Sequence, residues 1–254
     1  MYLCPSNAVK MLLAVDVGNT KIKSAVFKDT ALLGKYIFSK NDAPASLENI
    51  FDNYTGIAVS ILSVVGATDA SLLQVLERFT HVIQVTQDSA FPFTNRYATP
   101  QTLGVDRMVL AAGATLCYPG RHRLVIDAGT CITYDFIDAD DNYLGGAISP
   151  GIRLRYEALH NFTAKLPLLS AEVPQGFTGN STGSSIHSGV INGLLYEMQG
   201  FIRDYEEKYG DLTIILTGGD ADFLAKQFKS TIFANSNFLL ESLNYLYLYQ
   251  SRND

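Results

Sequence analysis

Val15-Asp16-Val17-Gly18-Asn19-Thr20-Lys21-Ile22-Lys23 sets an aspartate at the end of an apolar strand, a glycine turn behind it and a second apolar run beyond. The pattern returns 111 residues further on (16 to 127), where Ile126-Asp127-Ala128-Gly129-Thr130 again ends an apolar strand in Asp-x-Gly. Such a pair predicts two related halves facing each other.

Working outward from the first copy, residues 11–16, 22–27 and 32–38 read as three successive strands, the first two joined through the turn at Gly18-Asn19. Residues 45–54 have helical spacing, 57–65 are an apolar strand, 71–78 are helical and 81–85 are a short strand. A loop rich in Pro and aromatic residues, 91–100, precedes an Ala-rich helix over 104–116. The breaker Tyr118-Pro119-Gly120 then suggests a boundary, with an N-terminal half at 11–118 and a C-terminal half at 119–254. The second half opens like the first, with strands at 124–127, 131–137 and 143–148. A long amphipathic helix over 184–207 follows, then a strand at 212–216 running into Thr217-Gly218-Gly219-Asp220, with helices either side of Ile232.

The composition fits a folded globular chain: 254 residues, 47% hydrophobic and 17% charged, enough for a substantial core. A net charge of −6 gives no electrostatic footprint for phosphate-backbone binding, so nucleic acid is not an expected partner. Cys4, Cys117 and Cys131 are odd in number and form no C-x-x-C pair, which argues against a disulfide framework or a cysteine zinc site and suits a reducing cytoplasm. The apolar stretch 11–15 is cut short by Asp16, and no run nears the roughly 20 residues that cross a bilayer, so no membrane association is expected. Residues 1–10 have no periodicity and read as a tail before Met11.

Each motif carries a plain and a chemical reading. An Asp-x-Gly turn with a following hydroxyl is a common hairpin signal, yet its backbone N–H groups and Thr20 can also cradle anionic oxygens while the carboxylate orients metal-bound water. Lys21 and Lys23, two apart, would share a strand face from which a lysine can reach a phosphate; solvated edge lysines have the same spacing. Recurrence of the motif at Asp127-Ala128-Gly129-Thr130 favours the phosphate reading, because a nucleotide held between two halves needs a loop from each. In Thr217-Gly218-Gly219-Asp220, bare backbone at a strand-to-helix turn can approach a base or ribose. Gly104-Val105-Asp106-Arg107 opens a helix, where an acidic first turn complements the dipole. The sharper reading makes Asp106 a general base for an attacking hydroxyl, with Arg107 binding an anionic group. Thr182 reads first as a helix-capping residue and second as a hydroxyl that binds substrate, and Tyr97 as a packed loop aromatic. The four histidines have no ligand spacing, and neither H-E-x-x-H nor G-x-S-x-G occurs.

In this order and spacing, residues 16–23, Gly104-Val105-Asp106-Arg107, Asp127-Ala128-Gly129-Thr130, Gly145-Gly146-x-Ile148-Ser149-Pro150-Gly151 and Leu216-Thr217-Gly218-Gly219 make the chain resemble the type III pantothenate kinases. These are a branch of the acetate and sugar kinase, heat-shock ATPase and actin superfamily, and the resemblance spans residues 11 to about 245. It implies an α/β fold of two ribonuclease-H-like, actin-like halves around a nucleotide cleft. The implied activity is ATP-dependent phosphorylation of the primary hydroxyl of pantothenate to 4'-phosphopantothenate, the first step of coenzyme A biosynthesis.

By the same resemblance, Asp16, Val17, Gly18, Asn19, Thr20, Lys21, Ile22 and Lys23 form the first phosphate loop, with Asp16 helping to hold Mg²⁺. Thr130 contacts ATP from the second half, and Asp127 ligands a monovalent cation, K⁺ or NH₄⁺. Asp106 is the base, while Tyr97, Gly104, Val105, Arg107 and Thr182 position pantothenate. A homodimer is implied, with the helix after Thr182 near the contact. Two departures stand out: the tail, and Glu241-Ser242-Leu243 where the family usually has Gly-Leu. Competing readings are another small acid or sugar kinase of the superfamily and a non-catalytic nucleotide-binding regulator.

Overall fold

The computed structural model describes residues 11–64, 66, 70–228 and 233–253; the expected tail, Val65 and Ile232 lie outside the described residues. In chain order the elements are β1 (Met11–Val17), β2 (Ile22–Lys28), β3 (Ala31–Phe38), α1 (Ala43–Asn53), β4 (Ile57–Val64), α2 (Ala70–Phe79), β5 (His81–Gln84), β6 (Thr94–Asn95) and α3 (Val105–Cys117). They continue with β7 (His122–Ala128), β8 (Cys131–Ile137), β9 (Asn142–Pro150), α4 (Ile152–Asn161), α5 (Thr182–His187), α6 (Gly193–Tyr209), β10 (Leu212–Thr217), α7 (Ala221–Ala225), β11 (Phe233–Ala234) and α8 (Phe238–Asn253).

These elements form two compact units, one from residues up to 92, 98–116 and 238 onward, the other from 93–97 and 117–237. In the first, β1 and β2 pair antiparallel, β2 and β3 likewise, and β4 and β5 add in parallel, giving the order β3-β2-β1-β4-β5. Every residue from Leu12 to Val17 is buried, as expected of a strand covered on both faces. Leu13, Val15 and Val17 pack with Leu47, Ile50, Leu72 and Leu76 of α1 and α2. Strand alternation turns Leu12, Ala14 and Asp16 to the opposite face, and α8 packs against β1, β2 and β4. Within this unit α8 also approaches α3 closely: a Cβ on Gly113 would fall 1.9 Å from Ser242 Oγ. Ser242, the residue at the departure from the family pattern, is fully buried there, so bare backbone at Gly113 accommodates its hydroxymethyl group.

The second unit repeats the plan. Its sheet runs β11-β10-β7-β8-β9-β6, with β7, β8 and β9 antiparallel in succession and β10 and β11 parallel to β7. Leu124, Ile126 and Ala128 of β7 face a core with Leu194, Met198 and Ile202 of α6. Reversing alternation puts Asp127 on the other face. Arg123, fully buried, ties the breaker to the β8–β9 turn by donating to the carbonyls of Tyr118 and Asp138 and pairing with Asp141 at 2.8 Å.

Four details depart from the sequence reading. Residues 94–95, expected in a loop, form β6 and pair in parallel with β9, because Thr94 N and Arg96 N donate to the carbonyls of Asp141 and Tyr143. By packing, therefore, 93–97 group with the second unit and α8 with the first, whereas chain order had assigned each to the other half. Lys21 does not share a strand face with Lys23: its carbonyl closes the turn on Gly18 N at 3.1 Å, and β2 begins at Ile22. Ser181, not Thr182, caps the long helix, through a capping box with Ser184. That helix contains a π-turn at Ser188–Asn192 between α5 and α6.

Candidate active site

The first Asp-x-Gly loop is a short exposed turn on a buried base. Asp16 is buried at the end of β1, in register with Lys23 on β2 and Ser63 on β4, so all three share a face. Val17 and Ile22 are core residues that fix the two strand ends, while Gly18 is half-buried and Asn19, Thr20 and Lys21 are exposed, leaving their polar groups available to an anion.

In the same unit, Gly104-Val105-Asp106-Arg107 forms the N-terminus of α3. Val105 is buried and anchors the first turn. Asp106 folds back so that Oδ1 accepts from Arg107 N at 2.9 Å. A Cβ on residue 104 would lie 2.4 Å from that same oxygen, so Gly104 is what admits the carboxylate. Arg107 itself is buried. The result is a half-buried carboxylate held by one oxygen at the positive end of a helix, with a guanidinium in the next position.

The second Asp-x-Gly loop, in the second unit, is enclosed by backbone from elsewhere in the chain. Asp127 is in register with Thr133 and Thr217 on the flanking strands. Gly218 has φ +100°, and a Cβ there would meet Ala128 O at 2.3 Å and Asp127 Oδ1 at 2.5 Å. Only glycine meets both demands. Asp220 N donates to Ala128 O at 2.9 Å, and Gly151 N donates to Thr130 O at 3.0 Å. A side chain on Gly151 would collide with the carbonyls of Gly129 and Thr130. Thr130 is exposed at the tip.

Elsewhere in this unit, the Tyr97 ring lies against Gly145 and 6.1 Å from the Tyr143 ring, and Tyr143 donates to buried Asp135 at 2.6 Å. Tyr97 thus packs as an aromatic, held in place by β6. Thr182 lines a cavity of about 690 Å³ with Leu159, Leu166, Gly179, Ser185 and Ile186. A further cavity of about 470 Å³ joins Asp220 to Ile152, Arg153, Tyr156, Glu157 and Leu169. Neither of these two cavity linings includes Thr130 or Tyr97.

Sequence reasoning passed over Arg155 and Glu197. Arg155 Nε donates to Pro150 O at 2.8 Å, and its Nη2 donates to Ser149 Oγ at 2.8 Å and to Glu197 Oε2 at 2.6 Å. Tyr134 and Ser149 also donate to the Glu197 carboxylate, at 2.8 and 3.0 Å. Burial, and then this bond to Glu197, push the Tyr134 hydroxyl well above its ordinary pKa, so it stays a donor. The available signal was an acidic residue on the buried stripe Leu194, Met198 and Ile202 of α6.

A duplicated unit of three antiparallel strands continued by parallel ones, with an Asp-x-Gly hairpin in each copy, defines an actin-like ATPase and sugar-kinase type of fold. Solved structures agree on the fold: a Campylobacter jejuni protein described as a Baf family transcriptional activator superposes with a TM-score of 0.62 at 21% identity, covering 95% of this chain and 100% of that one. A Listeria monocytogenes protein described as an N-acetylmannosamine kinase gives 0.52 at 11% identity, over 95% and 99%. The chain belongs to the type III pantothenate kinase family, whose sequence model matches residues 12–204. The type III pantothenate kinase of Flavobacterium johnsoniae is 55% identical over 244 residues, covering 96% of this chain and all of that one. No helix among the described residues is long and apolar enough to cross a membrane.

Proposed function

We infer that this chain transfers the γ-phosphoryl group of ATP to the primary hydroxyl of pantothenate, the step that commits pantothenate to coenzyme A. Family membership supports the reaction, and the structural observation that carries it is the Asp106 carboxylate, fixed through Oδ1 by Arg107 N and opened to its surroundings by Gly104.

Phosphoryl transfer requires little covalent chemistry from the protein: it needs an aligned hydroxyl, a group to take its proton and cationic or N–H donors around the phosphates. Asp106 holds the pantothenate hydroxyl and accepts its proton as the oxygen attacks phosphorus. Arg107 pairs with the pantothenate carboxylate, and Tyr97, Val105 and Thr182 complete substrate positioning. Thr20, Lys21, Lys23 and the N–H groups of the first turn bind phosphate oxygens, and Thr130 does so from the second loop. The cavity beside Asp220 suits a base or ribose.

The acidic residues present fit the ions this reading brings with it. Among the described residues no cluster of three or more His, Cys, Asp or Glu side chains could hold a metal ion, so a cation would have at most two such side chains and take its other oxygens from phosphate, backbone or water. That is the usual pattern for Mg²⁺ beside a nucleotide, and Asp16 would hold it. Asp127, with Ala128 O close by, offers oxygen donors to K⁺ or NH₄⁺. Such ions supply positive charge beside the phosphates. The same reading carries a cytoplasmic homodimer.

The test is ADP release with Mg-ATP and K⁺, with and without pantothenate, against a panel of sugars and small acids. Release that depends on pantothenate is expected; dependence on another acceptor would overturn the substrate, and ATP binding without release would favour a regulator. Asp106→Asn should lower kcat by roughly 10²- to 10⁴-fold with ATP binding retained. Near-normal turnover in that variant would remove Asp106 from the base role.

A further inference from the structure

The carboxylate of Glu197 gathers three donors, from Tyr134, Ser149 and Arg155, and Arg155 also donates to Ser149 Oγ and Pro150 O. Both charged side chains are mostly buried, 25% exposed for Glu197 and 19% for Arg155. An ion pair of this kind, shielded and bonded in more than one direction, holds geometry better than a surface pair. What it holds is the turn 149–151, whose Gly151 N donates to Thr130 O. On the other side of the turn, Arg155 N bonds back to Gly151 O, so α4 starts at a fixed position.

The helix that carries Glu197 is adjusted for the task. A π-turn holds one more residue than an α-turn, so Ser188–Asn192 rotates all that follows by about 100° relative to an unbroken α-helix. Without it, Leu194, Glu197 and Met198 would turn together away from the core face that packs under Tyr134.

We propose that Glu197, acting through Arg155 and Ser149, is a positioning residue for the second phosphate loop: it fixes Gly151 against Thr130 and thereby sets the backbone that meets ATP. This rests on the proposed kinase reading for the role of Thr130. It adds a residue remote from the phosphates to the machinery and makes a selective demand, since the loop governs the nucleotide and not the acceptor.

Glu197→Gln removes the charge that pairs with Arg155 and turns one of the two acceptor oxygens into a donor, so Arg155, Ser149 and Tyr134 can no longer all donate as they do to the carboxylate, and Ser149→Ala deletes a single hydroxyl. The expected result for Glu197→Gln is a rise of roughly 10- to 100-fold in KM for Mg-ATP and in the calorimetric Kd for ATP, with KM for pantothenate within about twofold of wild type. Ser149→Ala should move the same two quantities in the same direction by a smaller factor. ATP constants within about twofold of wild type in the folded variants would overturn the proposal, as would KM values for ATP and pantothenate that rise together. If Glu197→Gln does not fold, Ser149→Ala decides by the same readings. A wild-type protein that binds ATP but releases no ADP with pantothenate would refute the kinase reading, while the Kd comparison would still judge the network.

Discussion

The two Asp-x-Gly loops share a signature and are built in opposite ways. The first is made locally: β1 and β2 flank it, one hydrogen bond from Gly18 N to Lys21 O closes it, and its polar side chains face outward. The second is made at long range, with Gly151, Gly218 and Asp220 pressing backbone against residues 127–130 and Glu197 bracing one of those contacts from α6. In the first the side chains are the instrument; in the second it is the fixed backbone. A fold that duplicates a motif is therefore free to give one copy adaptability and the other rigidity.

Substitutions can break this contrast, and the largest effect should come at residue 218. Gly218→Ala meets both a left-handed backbone and collisions with Ala128 and Asp127, and is expected to cost on the order of 3 kcal/mol. Gly18→Ala meets only Lys21 O at 3.1 Å and should cost less than about 1 kcal/mol. Urea unfolding of the two variants side by side checks this; equal losses would remove the distinction between a local and an enclosed loop. Next in size, Asp127→Asn should lower activity by roughly 10-fold or more and make it less responsive to added K⁺, while Asp16→Asn should chiefly raise the Mg²⁺ requirement. Titrating each ion against each variant tells them apart, and identical responses would merge the two carboxylates into one role. The smallest effect is expected for Lys21→Met, a few-fold rise in KM for ATP that shrinks at high ionic strength, because an exposed lysine acts by screened attraction. A salt-independent loss would mean that Lys21 instead shapes the turn.

The same contrast explains what was legible in the chain. The strand triplets, the helix at 104–116 and both Asp-x-Gly turns are local patterns of period two or 3.6, and each is where the reading put it. Asp106 at a helix start was visible for the same reason. What escaped were placements that depend on distant partners. Thr94 and Asn95 have no strand periodicity of their own and become β6 only because the carbonyls of Asp141 and Tyr143 accept from residues 94 and 96. The capping role given to Thr182 belongs to Ser181, one residue away, because a cap is set by backbone angles that neighbouring hydroxyl residues leave undecided. Glu197 and Arg155, 42 residues apart, carry no shared motif.

The route of the chain between the two units has a consequence for biosynthesis. Residues 93–97 leave the first unit to give the second its edge strand, and α8 returns from the second to cover the sheet of the first. No single cut separates the units into contiguous pieces. During translation the second unit holds all its strands before the first has its last helix, so the first sheet keeps a bare apolar face until α8 clears the ribosome exit tunnel. Of the two units, the one whose strands begin earlier in the chain is thus the one that closes later.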